Sequence, residues 1–342
     1  MLNRSGVATL LIGFSCLFAA CGDADDATEA TTPTSTATTT PADGAATEPT
    51  ATTDDDARSP TRTVEHVLGV AEVPVDPQRI VTLDSVGTLD GLVALGALDR
   101  IVGRVDLSGG DDPAWLDADW EAVPLLGTWP TLSSEAIVAT DPDLIVGWEV
   151  AVTQLDADLS QRTAVVATAA TPASTNPRWQ DSLNGLGMAL GLESEAAALI
   201  DDYDAALADT VAALPDGFTG RTLTILLGQG GMTGVGLGAS APPAEVRVEL
   251  GLMVSAALEG RGEFVPLSDE LAGELDADIV MLLDFDQGAT DWNAVLAELP
   301  TYGRLSAVAA GQVVVVDGSL WLNAGPIGAR LLLDEIVAVL AP

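Results

Sequence analysis

The sequence predicts an α/β fold of two similar lobes with mostly parallel sheets, joined by one long connecting helix. Short runs rich in β-branched residues alternate with helical stretches from residue 62 to the C-terminus. One segment of the chain occurs twice, and the stretch from 177 to 215 carries only helical signals. These three observations together indicate a chain that folds as two related halves around a helical connector.

The repeated segment joins the start of a helix to a strand. Its first copy runs from Leu132 to Val146 and its second from Leu267 to Met281, and Leu, Ser, Glu and two Asp recur in register. A spacing of 135 residues is too long for a solenoid, whose repeats span roughly 20 to 50 residues. The repeat therefore indicates two lobes, each of which presents one glutamate, Glu135 or Glu270, at the start of a helix.

The elements of each lobe follow from the same patterns. In the first lobe, 62–176, strands are predicted at 79–83, 101–105, 144–147 and 164–167, with helices at 88–95 and 135–139. In the second lobe, 216–342, strands are predicted at 222–227, 279–283 and 313–316. The connector, 177–215, begins at Asn176-Pro177 and is interrupted at Gly191. Its second part, 193–214, would span about 33 Å as a helix, which is long enough to bridge two lobes.

The N-terminus resembles an export signal with a lipid attachment site. Arg4 precedes an apolar run from Gly6 to Ala20, which is typical of a signal peptide and short for a membrane-spanning helix. Cys21 follows two small residues and resembles the lipidated cysteine of a bacterial lipobox. We therefore predict a signal peptide over 1–20 and lipidation of Cys21. The alternative is an ordinary signal peptide that is cut near Ala20.

The segment 21–61 is predicted to be a disordered tether. Between Gly22 and Pro60 the sequence has no aromatic residue and no Val, Leu, Ile or Met. Such a composition buries too little apolar surface to offset the entropy lost on ordering. We expect this segment to link a membrane anchor to a domain that begins near Arg62.

Composition excludes several classes of function. The net charge is -38, and every basic side chain except His66 is an arginine because the chain has no lysine. This balance argues against nucleic acid and against a basic patch that docks on anionic lipid. Both cysteines, Cys16 and Cys21, lie in the leader, and His66 is the only histidine, so the sequence predicts no thiolate site and no free-metal site.

The folded part resembles the substrate-binding lipoproteins of ABC importers for ferric siderophores, haem and cobalamin. The resemblance covers residues 62–342 and rests on Thr63-Val-Glu-His66, on Pro77-Gln-Arg79 with the strand that follows, on both copies of the repeat, and on Leu320-Trp321 with Gly325-Pro326. It implies the class III periplasmic-binding-protein fold, with two Rossmann-like lobes joined by one long helix. It also implies location on the extracytoplasmic face of the bacterial cell membrane, no catalysis and no cofactor.

The same resemblance implies two kinds of partner. The ligand is expected to be a ferric siderophore or another organometallic chelate, with cobalamin or haem as the alternative cargo. The second partner is an ABC permease with its cytoplasmic ATPase. In the family, one glutamate at the start of a surface helix in each lobe pairs with permease arginines, and Glu135 and Glu270 fall on those positions.

Ligand contacts are predicted from position in the sheets, because ligands of open parallel sheets lie beyond the carboxyl ends of the strands. Large aromatic faces with a few polar groups suit a bulky organic ligand, and an arginine suits the negative charge of many ferric chelates. The candidates that follow strands or begin the connector are Ser85, Arg104, Trp129, Trp148, Arg178, Gln229 and Trp321.

Two alternatives come from other classes of protein. An enzyme is disfavoured because the chain has no lysine for a phosphate loop and no Gly-x-Ser-x-Gly nucleophile motif. A solute-sensing or adhesion protein on the same scaffold would keep the cleft and would not need Glu135 and Glu270. Co-purification with a permease distinguishes that alternative from a transport protein.

Overall fold

The computed structural model describes residues 60–84, 87–106, 115–116, 119–128, 131–169, 178–214, 218–238, 244–323 and 325–340. The predicted signal peptide, Cys21 and the predicted tether up to residue 59 lie outside the described residues. Two of the predicted ligand contacts, Ser85 and Trp129, also lie outside them.

The first lobe is built on a five-stranded parallel sheet. A hairpin of β1 (Thr61–His66) and β2 (Gly69–Pro74) precedes it. The sheet contains β3 (Ile80–Thr82), β4 (Ile101–Asp106), β5 (Leu125–Thr128), β6 (Leu144–Gly147) and β7 (Ala164–Ala167), in the order β5-β4-β3-β6-β7. Its helices are α1 (Gly87–Ala94), α2 (Ser134–Ala139), α3 (Glu149–Val152) and α4 (Ala157–Ser160). The predicted strands and both predicted helices of this lobe are present.

Two helices form the connector between the sheets. α5 (Trp179–Leu190) ends at Gly191, whose φ of 71° is in the left-handed region that favours glycine. The N–H group of Gly191 donates to the carbonyl of Gly187 and closes the last turn. α6 (Glu193–Ala213) follows and is the long connecting helix that the sequence predicts. α5 packs against both α1 and α6, so the connector is anchored to the first lobe.

The second lobe has a mixed sheet with a parallel centre. Its strands are β8 (Thr222–Gln229), β9 (Met232–Leu237), β10 (Met253–Val254), β11 (Phe264–Pro266), β12 (Ile279–Asp284) and β13 (Val314–Asp317). β10, β8, β12 and β13 run parallel, and β9 and β11 add antiparallel strands at one side. The helices are α7 (Ala244–Glu249), α8 (Asp269–Ala272), α9 (Trp292–Glu298), α10 (Ser306–Ala309), α11 (Gly318–Asn323) and α12 (Pro326–Leu340).

Both sheets are buried on two faces, as parallel sheets usually are. In the first lobe, one face carries Ile80, Leu144 and Val146 under α1 and α5, and the other face forms a second apolar cluster around Val81 and Ile145. The second lobe repeats this arrangement with clusters around Leu223 and Met281 and around Leu226 and Val280. The carboxyl ends of the strands are therefore the part of each sheet that remains available to a ligand.

The sequence repeat has a structural explanation in hydrogen bonds. Asp143, just before β6, accepts from the backbone N–H groups of Gln78 and Arg79 at 2.8 and 2.9 Å. Asp278, just before β12, accepts from the backbone N–H of Thr222 at 2.8 Å. Each aspartate thus fixes the start of its own strand to the start of the neighbouring strand, and the same residue type recurs because the same junction recurs.

A carboxylate of the first lobe caps the last helix of the chain. Asp90 on α1 has no exposed surface, and it accepts hydrogen bonds from the backbone N–H groups of Ile327 and Gly328 at 2.8 and 2.9 Å. The indole N–H of Trp115 donates to the same carboxylate at 2.9 Å. The first turn of a helix leaves N–H groups without intrahelical partners, so Asp90 acts as an N-cap supplied by a distant segment.

The capped helix, α12, packs in both lobes. Ile327, in its first turn, contacts the core of the first lobe, whereas Leu333 and Ile336 belong to the core of the second. A side chain at Gly325 would lie 2.7 Å from both Cβ of Asp90 and the carbonyl oxygen of Gly87. α12 is therefore a second helical link between the lobes besides the connector, and glycine permits its close approach to α1.

We predict that Asp90→Ala lowers the free energy of unfolding by about 3 kcal/mol, because buried N–H groups lose their acceptor. Urea unfolding at pH 4, followed by circular dichroism, measures the change. The matched control is Asp99→Ala, since Asp99 is exposed just after α1 and its removal should change stability by no more than about 0.5 kcal/mol. Equal stability of the two variants would contradict the role assigned to Asp90.

The pH dependence of this difference provides a second check. Burial raises the pKa of Asp90 to about 6, and the hydrogen bonds from Trp115, Ile327, Gly328 and Gly325 oppose that rise. Between pH about 4 and about 6 the folded state keeps a proton that the unfolded chain has lost, so each rise in pH favours the unfolded state. The contribution of Asp90 to stability is therefore largest below pH about 4 and falls as the pH rises to about 6. The stability difference between wild type and Asp90→Ala should be larger at pH 4 than at pH 7, by up to about 3 kcal/mol. A stability difference that is larger at pH 7 than at pH 4 would contradict a raised pKa of Asp90.

Candidate functional site

The candidate site is the set of residues at the carboxyl ends of the parallel strands, here called the carboxyl edges. The two edges meet beside the cap on α12. Gly87 begins α1 shortly after β3, and Gly325 follows α11, which continues directly from β13. Since the Cβ position of Gly325 is 2.7 Å from the carbonyl oxygen of Gly87, the carboxyl edges of the two lobes are adjacent at this point.

The carboxyl edge of the first lobe combines acids with one arginine and one tryptophan. Asp84 follows β3, is fully buried, and accepts a hydrogen bond from the backbone N–H of Thr88 at the start of α1. On β4, the guanidinium carbon of Arg104 lies 4.9 Å from the ring centroid of Trp120, and the residue is 8% exposed. Asp106 ends β4 and is also buried. Arg104 is therefore held in place by a cation-π contact, and the buried carboxylate of Asp106 follows it by two residues on the same strand.

Trp148 follows β6 directly and is 7% exposed. Its backbone carbonyl starts α3, where it accepts from the N–H groups of Ala151 and Val152 at 3.0 Å. Glu149 comes next and is partly exposed. Trp148 therefore lies at the end of a strand, as predicted, and its indole is largely packed into the lobe.

Arg178 is exposed and stands at the N-terminus of α5. Its Nε lies 3.5 Å from a carboxylate oxygen of Asp181, one helical turn on, and both side chains are more than half exposed. Such a pair at the surface contributes little to stability. Arg178 consequently presents a cation next to the segment that follows β7.

Carboxylates organise the carboxyl edge of the second lobe. Asp284 ends β12 and accepts from the indole N–H of Trp292 at 2.7 Å and from the backbone N–H groups of Asp286 and Gly288. Asp286 in turn accepts from the backbone N–H groups of Gly230 and Gly231 at 2.6 and 2.9 Å. These bonds fix the loop after β12 against the turn between β8 and β9.

Asp286 holds this turn as an anion. Burial by itself would raise the pKa of Asp286, but the hydrogen bonds from Thr290, Gly231 and Gly230 outweigh it and lower the pKa. The predicted contact Gln229 lies at the end of β8, next to that turn, and is exposed. Asp286 was not among the predicted residues, although the Asp-x-Gly-x-Thr pattern from 286 to 290 is typical of a carboxylate that binds nearby backbone N–H groups.

Trp321 lies on α11 and is 4% exposed, within the main apolar cluster of the second lobe. Its indole N–H donates to the carboxylate of Glu335 on α12 at 2.6 Å. Burial raises the pKa of Glu335, the bond from Trp321 opposes that rise, and the charge of Asp317 adds to it. The placement of Trp321 favours a packing role, in which it joins α11 to α12.

Glu135 and Glu270 occupy equivalent exposed positions in the two lobes. Glu135 is in the first turn of α2, whose N-cap Ser133 accepts from the backbone N–H of Ala136 at 3.2 Å. Glu270 is in the first turn of α8, where Ser268 accepts from the backbone N–H of Leu271 at 3.3 Å. The serines accept hydrogen bonds from backbone N–H groups in the first turns, so neither glutamate is needed for capping. Both glutamate residues are exposed to solvent.

The described residues bear on metals and membranes as well. Within these ranges, no group of three or more His, Cys, Asp or Glu side chains is arranged to hold a metal ion. None of the helices in the same ranges is both long enough and apolar enough to cross a membrane.

Comparison with known structures gives close similarity in fold. SirA of Staphylococcus aureus, solved in complex with staphyloferrin B, is 25% identical with a TM-score of 0.66 over 82% of this chain and 98% of that chain. The catecholate-siderophore binding protein VctP of Vibrio cholerae is 23% identical, with a TM-score of 0.62 over 81% and 99%. The heme binding protein HutB of Vibrio cholerae is 19% identical, with a TM-score of 0.60 over 78% and 99%.

Comparison with curated proteins found no match. The family described as periplasmic binding protein matches residues 80–320, which is more than half of the chain and includes both sheets and the connector. The predicted two-lobed class III fold and the resemblance to importer binding proteins are confirmed at this level. The chain therefore belongs to the periplasmic binding protein family, whose members are extracytoplasmic binding proteins and not enzymes.

Proposed function

We propose that this protein captures a ferric siderophore between its two lobes and delivers it to the permease of an ABC importer. The observation that carries the proposal is the likeness to SirA, which spans 98% of that chain and includes both lobes. SirA was solved with staphyloferrin B, and VctP is a catecholate-siderophore binding protein. The carboxyl edges of this chain supply polar and aromatic groups at the place where α/β proteins bind ligands.

The ligand contacts that we propose are Arg104, Trp148, Arg178 and Gln229, with Ser85 and Trp129 added from sequence position. Arg178 and Gln229 are exposed, one in each half of the chain, so they can contact a ligand without rearrangement of the core. Arg104 is held against Trp120 and can donate from a fixed position. Trp321 is a weaker candidate, because its indole is committed to Glu335.

A second candidate ligand is haem or cobalamin. The likeness to HutB, a heme binding protein, favours haem as the member of this pair to test first. Tyr203 and Tyr302 are the tyrosines of the chain, and both are buried in the described structure. A haem complex of this protein would therefore need either a change in those side chains or binding without a tyrosine ligand.

We predict that titration with ferric siderophores quenches tryptophan fluorescence and that Arg178→Gln weakens the affinity about tenfold, as expected for loss of a charged hydrogen bond. Arg330→Gln is the matched control. Arg330 also pairs with an aspartate on its own helix, at 3.7 Å, but it lies on the exposed side of α12. Similar affinity losses in both variants would argue against a ligand contact at Arg178, and absence of binding to any ferric siderophore would refute the proposed cargo.

Docking on the permease is proposed to use Glu135 and Glu270. The two carboxylates are exposed, start equivalent helices and are not used as caps. Two matched anions, one per lobe, suit a partner surface that carries two sets of arginine residues. Electrostatic pairing of this kind selects the partner and the orientation of docking more than it adds affinity.

We predict that the double variant Glu135→Arg/Glu270→Arg abolishes uptake of the bound chelate and leaves ligand affinity unchanged, because like charges then face each other across the docking surface. Uptake is measured in cells and affinity with the purified protein. The control is Glu193→Arg/Glu195→Arg, the same reversal in the exposed first turn of α6. Normal uptake by the first variant, or equal loss in both, would contradict the assignment.

Membrane attachment is proposed to occur through lipidation of Cys21 after removal of residues 1–20. The support is the order of charge, apolar run and small residues before this cysteine. Stable attachment needs enough buried acyl chain, and one chain alone binds a membrane only marginally. Mass spectrometry of the N-terminal peptide from the membrane fraction should find an acylated Cys21. A free amino terminus near residue 21 in the soluble fraction would instead indicate the ordinary signal peptide.

A further inference from the structure

The arginines of the two sheets are unevenly distributed along the strands, whereas acids such as Asp143 and Asp278 also occur at the amino ends. Arginines stand at the amino ends: Arg79, Arg100 and Arg221 directly precede β3, β4 and β8, and Arg162 comes shortly before β7. Three of them bond nearby groups at that end, namely the carbonyl oxygen of Asp141, the carboxylate of Asp76 and the carbonyl oxygen of Asp278. These arginines therefore lie at the opposite end of the strands from the carboxyl edges.

Acids stand at the carboxyl edges. Asp106, Asp284 and Asp317 are the last residues of β4, β12 and β13, and Asp84 follows β3. Glu149 and Asp286 lie in the segments just after β6 and β12. Asp286 is held in its charged form by the hydrogen bonds to its carboxylate. The carboxyl edges of both lobes therefore contain several carboxylates, of which Asp84, Asp106 and Asp284 are buried.

The chain has no lysine and thirteen arginines, so most of its cations can be assigned to a place in the described structure. In the described part, the carboxyl edges hold Arg104 and Arg178; Arg104 is 8% exposed against Trp120, and Arg178 is 3.5 Å from Asp181. The remaining arginines are Arg4 and Arg58 near the N-terminus, those at the amino ends, and Arg62, Arg247, Arg261, Arg304 and Arg330.

From this distribution we infer that the site is selective for a ferric chelate of neutral or positive net charge, and that it disfavours multiply anionic chelates. The inference rests on the proposed function and specifies its ligand class. Three hydroxamate groups neutralise one ferric ion, so a trihydroxamate complex is neutral, or cationic if it carries an ammonium group. Three catecholate groups give a trianionic complex.

The physical reason is the field of the cleft. Charges of one sign that line a cleft with low-dielectric walls raise the local concentration of ligands of opposite sign and exclude those of like sign. A trianion near several carboxylates meets repulsion that two arginines, one stacked and one paired, cannot balance. Neutral chelate oxygens can still accept hydrogen bonds from Arg178 and Gln229.

The test compares three ferric complexes with the purified full chain: a trihydroxamate with an ammonium group, a neutral trihydroxamate and a tricatecholate. Tryptophan quenching should give affinities for both hydroxamates at least about tenfold higher than for the tricatecholate. Raising the salt to about 0.5 M should weaken the cationic complex and leave the neutral one nearly unchanged. Tightest binding of the tricatecholate would overturn the inference and leave the proposed function standing. Failure of all three to bind would overturn the inference, and the proposed function would fall only if a wider panel of ferric siderophores also failed to bind.

A matched pair of variants tests the location of the field. Gln229→Arg adds a cation at the carboxyl end of β8, and Gln312→Arg adds one at an exposed position before β13, at the amino end. The first should narrow the preference for the cationic over the anionic complex several-fold, and the second should leave it unchanged although the net charge is the same. Equal effects of the two variants, or no effect of Gln229→Arg, would contradict the inference.

Discussion

The arrangement of the two lobes depends on one buried carboxylate. Asp90 receives hydrogen bonds from the first turn of α12 and from Trp115, and no surface of it is exposed. A helix N-terminus carries partial positive charge, which suits an anion. Desolvation works against that anion and raises the pKa of Asp90 to about 6. Two effects therefore oppose each other at this junction. Burial of the carboxylate is unfavourable, but the carboxylate accepts hydrogen bonds from N–H groups of α12 that have no other partner among the described contacts.

That junction bears on how the protein binds. The connector and α12 both link the lobes, and α12 contributes side chains to the cores of each. Helical links of this kind allow less relative movement than flexible strands, so we expect the separation of the carboxyl edges to change little when the proposed ligand binds. Preorganisation of this sort increases affinity by reducing the entropy lost on binding. The loop after β12, which Asp284 and Asp286 fix against the turn at Gly230, extends the same principle to the edge of the site.

Sequence patterns predicted most of the parallel strands, though not β5 or β10, and the helical connector, because hydrophobic runs and the interruption at Gly191 are local signals. They missed β9, since Gly234 and Gly236 hide the alternation of a strand, and they missed the cap on α12. Asp90 and Ile327 are distant in sequence, and nothing local in either segment indicates that they meet. Trp321 was predicted at a strand end from spacing alone, whereas its burial depends on Glu335 in the next helix. The positions of Glu135 and Glu270 followed from the repeat, but sequence could not determine that serines cap both helices.

The repeated segment contains both acids that maintain the fold and acids that are exposed to solvent. Asp143 and Asp278 bond backbone N–H groups and fix strand starts, so their replacement would disturb the lobes. Glu135 and Glu270, a few residues earlier, have the same charge, and their exposed side chains do not cap the helices that they begin. Retention of an acid at both positions is thus not required by the hydrogen bonds of the fold. Because the helices start at equivalent places in two lobes that α12 joins, these carboxylates form a matched pair, which supports the proposal that they dock on one partner surface.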